Sequence, residues 1–282
     1  MTGEETRDRL RGVQGFVFDL DGTLVLGDRT NHGLAPLPGA RQLLGLLGER
    51  GVPFVVLTNG TGRTPDHYAR ILREIGFPVG DDQVLTPATS AADVFGRRGH
   101  RRVMLLGTEG VRRPLEAAGI EVVRPRGRPG PHAVLVAWYR DFTMDDLDAA
   151  CHAVWDGARL YSGSQSRFFA TATGPVLGTS RAITAMIRDL TGARVEVVGK
   201  PSAAALGSAA RRLGVTTRHL AVVGDDPALE VPMALRGGAM AVAVATGIAG
   251  REAFDHLPPR RRPHLFLDGV DDLAALYRQA LA

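Results

Sequence analysis

The 282-residue sequence predicts an α/β fold: a doubly wound parallel sheet with a second, inserted α/β domain. Three observations carry that prediction. Short apolar runs alternate with amphipathic helical patterns from end to end, the rhythm of βαβ units. Several runs stop in a small polar cluster with a glycine, as at Asp19-Leu20-Asp21-Gly22-Thr23, Thr58-Asn59-Gly60, Gly199-Lys200 and Gly224-Asp225-Asp226. Between Thr58 and Lys200 lie 141 residues, far more than one crossover needs.

In chain order, Val13 to Val17 is an apolar run that reads as the first buried strand. An irregular loop, Leu26 to Pro38, leads to an amphipathic helix from Ala40 through Leu47. Val52 to Leu57 is the second strand, and Pro65 to Ile75 a helix. Late in the chain Val195 to Val198, Leu220 to Val223 and Met240 to Val244 supply three more strands. These five are expected in one sheet whose carboxyl ends carry Asp19, Thr58, Lys200 and Asp225. Open α/β sheets bind ligands outside those ends. The long interval has its own pattern: strands at Arg102 to Leu106, Glu121 to Val123, His132 to Ala137 and Leu160-Tyr161, and helices at Gly110 to Ala118 and Met144 to Trp155. The expected division is a first domain from 1–85 and 183–282, with 86–182 inserted over its rim.

Composition narrows the function classes. An apolar share of 44% supports a sizeable core, and no window approaches a membrane span. The first residues, with Glu4, Glu5, Arg7 and Asp8, show no apolar leader segment. The single cysteine, Cys151, lies in a helical apolar pattern, which excludes an internal disulfide and fits a reducing, cytoplasmic setting. Net charge is +4, and the densest basic clusters, Arg124 to Arg128 and Arg260 to Arg262, are Pro-rich and lack interleaved aromatics. A nucleic-acid partner is therefore not expected. Of the 34 basic residues 33 are arginine, and Lys200 is the one lysine. A compact ammonium differs from a guanidinium fork where a carboxylate and a phosphate meet at close quarters, which marks Lys200 as a candidate site residue.

Asp19 and Asp21 stand two apart at the end of a strand, so both carboxylates project to one side. Such a pair is costly to desolvate unless a cation joins it, and Mg²⁺, which prefers oxygen ligands, suits the site. Asp19 is the candidate nucleophile toward phosphorus and Asp21 the candidate proton carrier. Thr58, Asn59 and Gly60 offer a hydroxyl, an amide and backbone N–H groups to a phosphate. Asp225, Asp226 and Glu230 form a second acidic cluster that completes an oxygen-only metal site; alternatively Asp226 or Glu230 caps the next helix.

Taken in order, D-L-D-G-T, L-T-N-G, G-K-P and G-D-D resemble the motifs of the haloacid dehalogenase superfamily of phosphohydrolases. The insert between the second and third motifs resembles a C2-type cap. Pro38-Gly39-Ala40, Arg140-Asp141-Phe142-Thr143 and Ala245-Thr246-Gly247 are similar to subfamily IIA, which contains nucleotide monophosphatase and para-nitrophenylphosphatase-like enzymes. The resemblance implies that Asp19 is the nucleophile and Asp21 the acid–base. It also implies that Thr58 and Lys200 hold the phosphoryl group, and that Asp225 and the Asp21 carbonyl bind Mg²⁺. The chain departs from the pattern in having Glu230 five residues after Asp225, where an Asp is usual. It departs again in Ser162 to Arg167, where a T-N-x-D-like stretch is common, and in a long loop at Gly27 to Leu34.

The implied activity is Mg²⁺-dependent hydrolysis of a small phosphomonoester through an aspartyl phosphate. Phosphotransfer to another acceptor, and phosphometabolite binding with little turnover, are the alternatives. Trp138, Tyr139, Arg140, Gln165 and Arg167 are the candidate substrate-selecting residues of the insert, Arg for bidentate phosphate contact and the aromatics for stacking. Trp138 and Tyr139 equally suit packing within the insert or a homodimer contact.

Overall fold

The computed structural model describes residues 3–27, 34–123, 130–169 and 176–281. Eleven strands among them build two sheets. In chain order they are β1 (Gly15–Phe18), β2 (Phe54–Leu57), β3 (Val84–Leu85), β4 (Arg102–Leu106), β5 (Glu121–Val123) and β6 (Ala133–Val136), then β7 (Arg159–Ser162), β8 (Val195–Val197), β9 (Leu220–Gly224), β10 (Met240–Val244) and β11 (Leu265–Leu267). The first sheet runs β11-β10-β9-β1-β2-β3 and the second β8-β7-β6-β4-β5. Every pairing in both is parallel. Two-residue ribbons pair Val25–Leu26 with Ala35–Pro36 and Phe168–Phe169 with Val176–Leu177, and an isolated bridge joins Asp21 and Val25.

Parallel sheets need cover on both faces, and the strand sequences provide for it. Along β1, Phe16 and Phe18 enter one core with Phe54, Val56 and Val223. Val17 points the other way, into a core with Val55, Leu57 and Val222. The stacked Phe16 and Phe18 rings, 5.6 Å apart, and the edge of Tyr277 at 5.3 Å tie the centre of the sheet to the C-terminal helix, Val270–Leu281. Burying each such ring contributes roughly 2–3 kcal/mol. The second sheet follows the same rule. Val103, Leu105 and Leu135 face helices Pro87–Arg98 and Glu109–Ala117, while Met104, Leu106, Val134 and Val136 face helices Met144–Trp155 and Thr179–Thr191.

Helix boundaries follow local chemistry. Met144–Trp155 opens on a capping box in which Thr143 Oγ1 accepts from the Asp146 N–H and the Asp146 carboxylate accepts from the Thr143 N–H. Pro65 occupies the first turn of its helix, where its missing N–H costs nothing. Buried Cys151 packs with Leu147 and Ile187, as its helical pattern predicted.

Two expectations need correction. Residues 195–198 do not join the first sheet: β8 pairs with β7, Val195 opposite Leu160 and Val197 opposite Ser162, at the edge of the second sheet. The second sheet therefore continues past residue 182, which lies inside helix Thr179–Thr191. β8 occupies the edge beside β7 in a sheet whose other strands precede it, and Lys200 reaches the first sheet's rim on the loop beyond. Conversely, β3 and β11 belong to the first sheet although their two and three residues carry no periodic signal. The Arg124 to Arg128 cluster and most of the long loop at 27–34 lie outside the described residues.

Candidate active site

The strand order places β1 between β9 and β2, so Asp19, Thr58 and Asp225 leave neighbouring strands at one carboxyl rim. The Asp19 N–H donates to Val223 O across the β1–β9 pair at 2.9 Å, which extends the strand one residue and fixes its carboxylate. Asp19 is buried, accepts from Thr23 Oγ1 at 3.2 Å, and contacts Lys200 Nζ. Beyond Asp21 the chain turns at Gly22, whose φ is 89°. A Cβ there would stand 2.6 Å from Asp225 Oδ2 and 2.8 Å from Gly247 Cα, so glycine is required for both dihedral and space. Thr246 Oγ1 closes the turn by donating to Gly22 O at 2.6 Å.

Lys200 is 2% exposed and sits between two carboxylates, Asp19 on one side and Glu230 Oε1 at 2.6 Å on the other. Burial alone would lower its pKa, but Asp19 and Glu230 outweigh burial and hold the ammonium well above the ordinary lysine range. Its backbone is clamped by Asn59: Oδ1 accepts from the Lys200 N–H at 2.8 Å and Nδ2 donates to Lys200 O at 3.1 Å. These two hydrogen bonds tie the Lys200 backbone to the loop after β2, although β8 lies in the other sheet. Asn59 Nδ2 also reaches Ser164 Oγ, at 3.3 Å. Both ends of the amide are thus committed to positioning Lys200 and the insert.

The acidic residues are crowded. Asp21 accepts from Thr58 Oγ1 at 3.5 Å, and burial, with the Asp19 carboxylate next, pushes its pKa up to about 7. Burial likewise pushes Glu230 up to about 7 against the pull of Lys200, and raises Asp225 well above the carboxylate range, with Asp19 and Glu230 adding to the effect. Asp225 Oδ2 accepts from the Ile248 N–H at 2.6 Å. Asp226 is raised by burial and turned to its own loop, Oδ1 accepting from the Ala228 N–H at 2.7 Å. Glu230 Oε2 accepts from the Asp226 N–H at 3.2 Å.

Glu230, expected among metal ligands, has each carboxylate oxygen engaged, one with Lys200 and one with backbone. It acts here as the lysine's second anchor. Among the described residues no three His, Cys, Asp or Glu side chains are grouped as a ready-made metal site. The donor chemistry nonetheless fits a hard cation. Asp19, Asp21, Asp225, Asp226 and Glu230 crowd around one buried ammonium, an excess of negative charge that a divalent ion with oxygen preference would offset.

The sequence profile of the haloacid dehalogenase-like hydrolases matches residues 16–121, and a second profile of the same kind matches residues 197–273, so the two take in all four motif segments. The chain belongs to the haloacid dehalogenase-like hydrolases. This hydrolase is 27% identical to the 5'-nucleotidase YutF of Bacillus subtilis over 244 residues, 86% of this chain and 91% of that one. It is 25% identical to an acid sugar phosphatase of Staphylococcus epidermidis over 253 residues, 89% of this chain and 94% of the other. The 4-nitrophenylphosphatase of Thermotoga maritima superposes with a TM-score of 0.84 at 27% identity, covering 95% of this chain and 98% of its own.

The insert of the hydrolase docks on the loop after β2. Thr61 Oγ1 accepts from the Trp138 N–H and Thr61 O from Thr108 Oγ1, each at 3.0 Å, and the Trp138 indole approaches Gly62. Of the insert residues singled out from sequence, Trp138 therefore meets the second-motif loop. Tyr139 packs into the second sheet's core beside Leu147 and Ile187. Gln165 turns back on its own loop, Nε2 donating to Ser162 Oγ at 2.8 Å, and Arg140 and Arg167 are exposed. Sequence reasoning missed Arg63, half-buried, whose charge acts on Asp21, and Ser164, which meets Asn59. Arg63 follows the second motif by three residues, a signal that was available, and Ser164 lies in the Ser162 to Arg167 stretch already noted as departing from the family pattern.

Proposed function

We propose that the protein is a Mg²⁺-dependent phosphatase that hydrolyses a small phosphomonoester through an aspartyl phosphate on Asp19. The observation that carries this reading is the buried contact of Asp19 with Lys200 at the rim, with Asp21 and Thr58 beside it. Membership in the haloacid dehalogenase-like hydrolases and the phosphatase names of the relatives support it.

Asp19 attacks phosphorus, and Lys200 with Thr58 holds the phosphoryl oxygens. Asp21, pushed up to about 7, is protonated in about half of the molecules at neutral pH, and in that form delivers its proton to the leaving oxygen. It then takes a proton from the water that cleaves the acyl phosphate. Asp19, Asp225 and the Asp21 carbonyl would hold Mg²⁺, which when bound supplies charge neutralisation for the phosphoryl group. Glu230 and Asn59 keep Lys200 on station, one through its ammonium and one through its backbone.

The test is inorganic phosphate release from a panel of phosphomonoesters with Mg²⁺ and with EDTA, for wild type and Asp19→Asn. Mg²⁺-dependent release lost in the variant is the expected result. Release that survives the substitution overturns the assignment of the nucleophile, and conversion of one organic phosphate to another identifies a transferase instead.

A further inference from the structure

Away from the carboxylate rim, a groove of 990 Å³ runs along the open edge of β8 to the loop after Lys200. Its size is in the range of small-molecule sites. Four arginines line it, Arg98, Arg159, Arg194 and Arg236, against one carboxylate, Glu196. Arg98 is committed to Glu196 Oε2 at 2.6 Å and to the Tyr161 hydroxyl. Among the described residues the other three form no ion pair: Arg236 donates to Pro201 O at 2.6 Å, and Arg159 and Arg194 are exposed. Ser202 and Ala203 also line the wall, where the 11-residue helix Ala203–Leu213 begins and its N-terminal dipole favours an anion.

One further wall is aromatic. Trp155, at the end of helix Met144–Trp155, lines the groove and is 58% exposed, its ring steadied by the edge of His152 at 5.3 Å. Leu160, Val195 and Val197 lie beside it as an apolar floor. Three guanidiniums without carboxylate partners match an extended anionic group better than a single carboxylate, since each guanidinium takes phosphate oxygens bidentately. An exposed indole over an apolar floor matches a planar ring. The groove is separate from the catalytic rim: Lys200 turns its buried side chain to Asp19, and the adjoining Pro201 forms groove wall.

We infer that this groove is a second binding site, for a phosphorylated small molecule that joins a planar ring to two or more phosphates, such as a nucleoside di- or triphosphate. The experiment is calorimetric titration of the full chain in EDTA with three probes: β,γ-methylene ATP, inorganic tripolyphosphate and adenosine. Wild type and Asp19→Asn are expected to bind the nucleotide analogue alike. Arg159→Glu with Arg194→Glu is expected to weaken it at least about tenfold. Trp155→Leu is expected to weaken the analogue about fivefold and leave tripolyphosphate unchanged. If the double charge reversal fails to fold, Arg194→Gln replaces it, with an expected loss of about threefold. No saturable binding, or binding lost in Asp19→Asn and kept in the arginine variants, overturns the site. Tripolyphosphate binding as tightly as the analogue overturns the assignment of the ring.

Discussion

Replacing Asp21 by Asn in metal-free protein isolates the electrostatic cost of its environment. Asp21 is pushed from 3.8 up to about 7, chiefly by burial and then by Asp19. A carboxyl whose folded pKa is raised contributes stability that is complete below its unfolded pKa and is lost as pH rises through the folded one. Wild type therefore loses stability from this group as pH climbs through the window 3.8 to about 7, and Asn, which does not titrate, loses none. At about 1.4 kcal/mol per unit, and with the part of the window below pH ~4.5 left out, the variant gains about 3 kcal/mol on wild type between pH ~4.5 and ~8. Glu230 is raised in the same way but titrates in both proteins and cancels in the difference. The assay is urea unfolding of both proteins in EDTA across that range, read as the difference in unfolding free energy. A difference that stays within about 1 kcal/mol at all pH values, or that moves toward wild type with rising pH, refutes the reasoning. Added Mg²⁺ is expected to erase the gain, because the cation stabilises the ionised carboxylates.

Other predictions follow from particular contacts. Lys200→Arg should lower kcat at least about a hundredfold, because a planar fork does not fit the buried space between Asp19 and Glu230, and phosphate-release kinetics would register it. Asn59→Ala removes both clamps on the Lys200 backbone and should cost about 1–3 kcal/mol of stability together with a fall in kcat, measured by thermal unfolding and turnover on the same sample. Gly247→Ala drives a Cβ into the Asp225 carboxylate and should raise the Mg²⁺ concentration needed for half-maximal activity at least about tenfold, while Gly250→Ala, in open space, should not. Mg²⁺ should raise Tm in wild type and much less in Asp225→Asn, as expected when a ligand binds only the folded protein.

Much of this molecule is written locally. The strand at Met240 to Val244 and the helix at Met144 to Trp155 stand where their apolar periods and caps put them. Asp19, Thr58 and Asp225 are legible because each directly follows a strand, and parallel strands deliver their carboxyl ends to one rim; Asp21 is legible as the second carboxylate of the same motif, in the turn beyond β1. The lone lysine among 33 arginines was visible too. Residue type and neighbours along the chain settle such features, since period and strand polarity are short-range properties. What surrounds Lys200 is of another kind. Its preceding strand joins the second sheet, and Asn59, 141 positions away, carries it to Asp19. Glu230, five residues past Asp225, turns to the Lys200 ammonium. Sheet membership and the partner of a buried charge depend on which distant backbone closes an edge and which opposite charge shares the low-dielectric space. Both are set by long-range packing, and only the tertiary structure decides them.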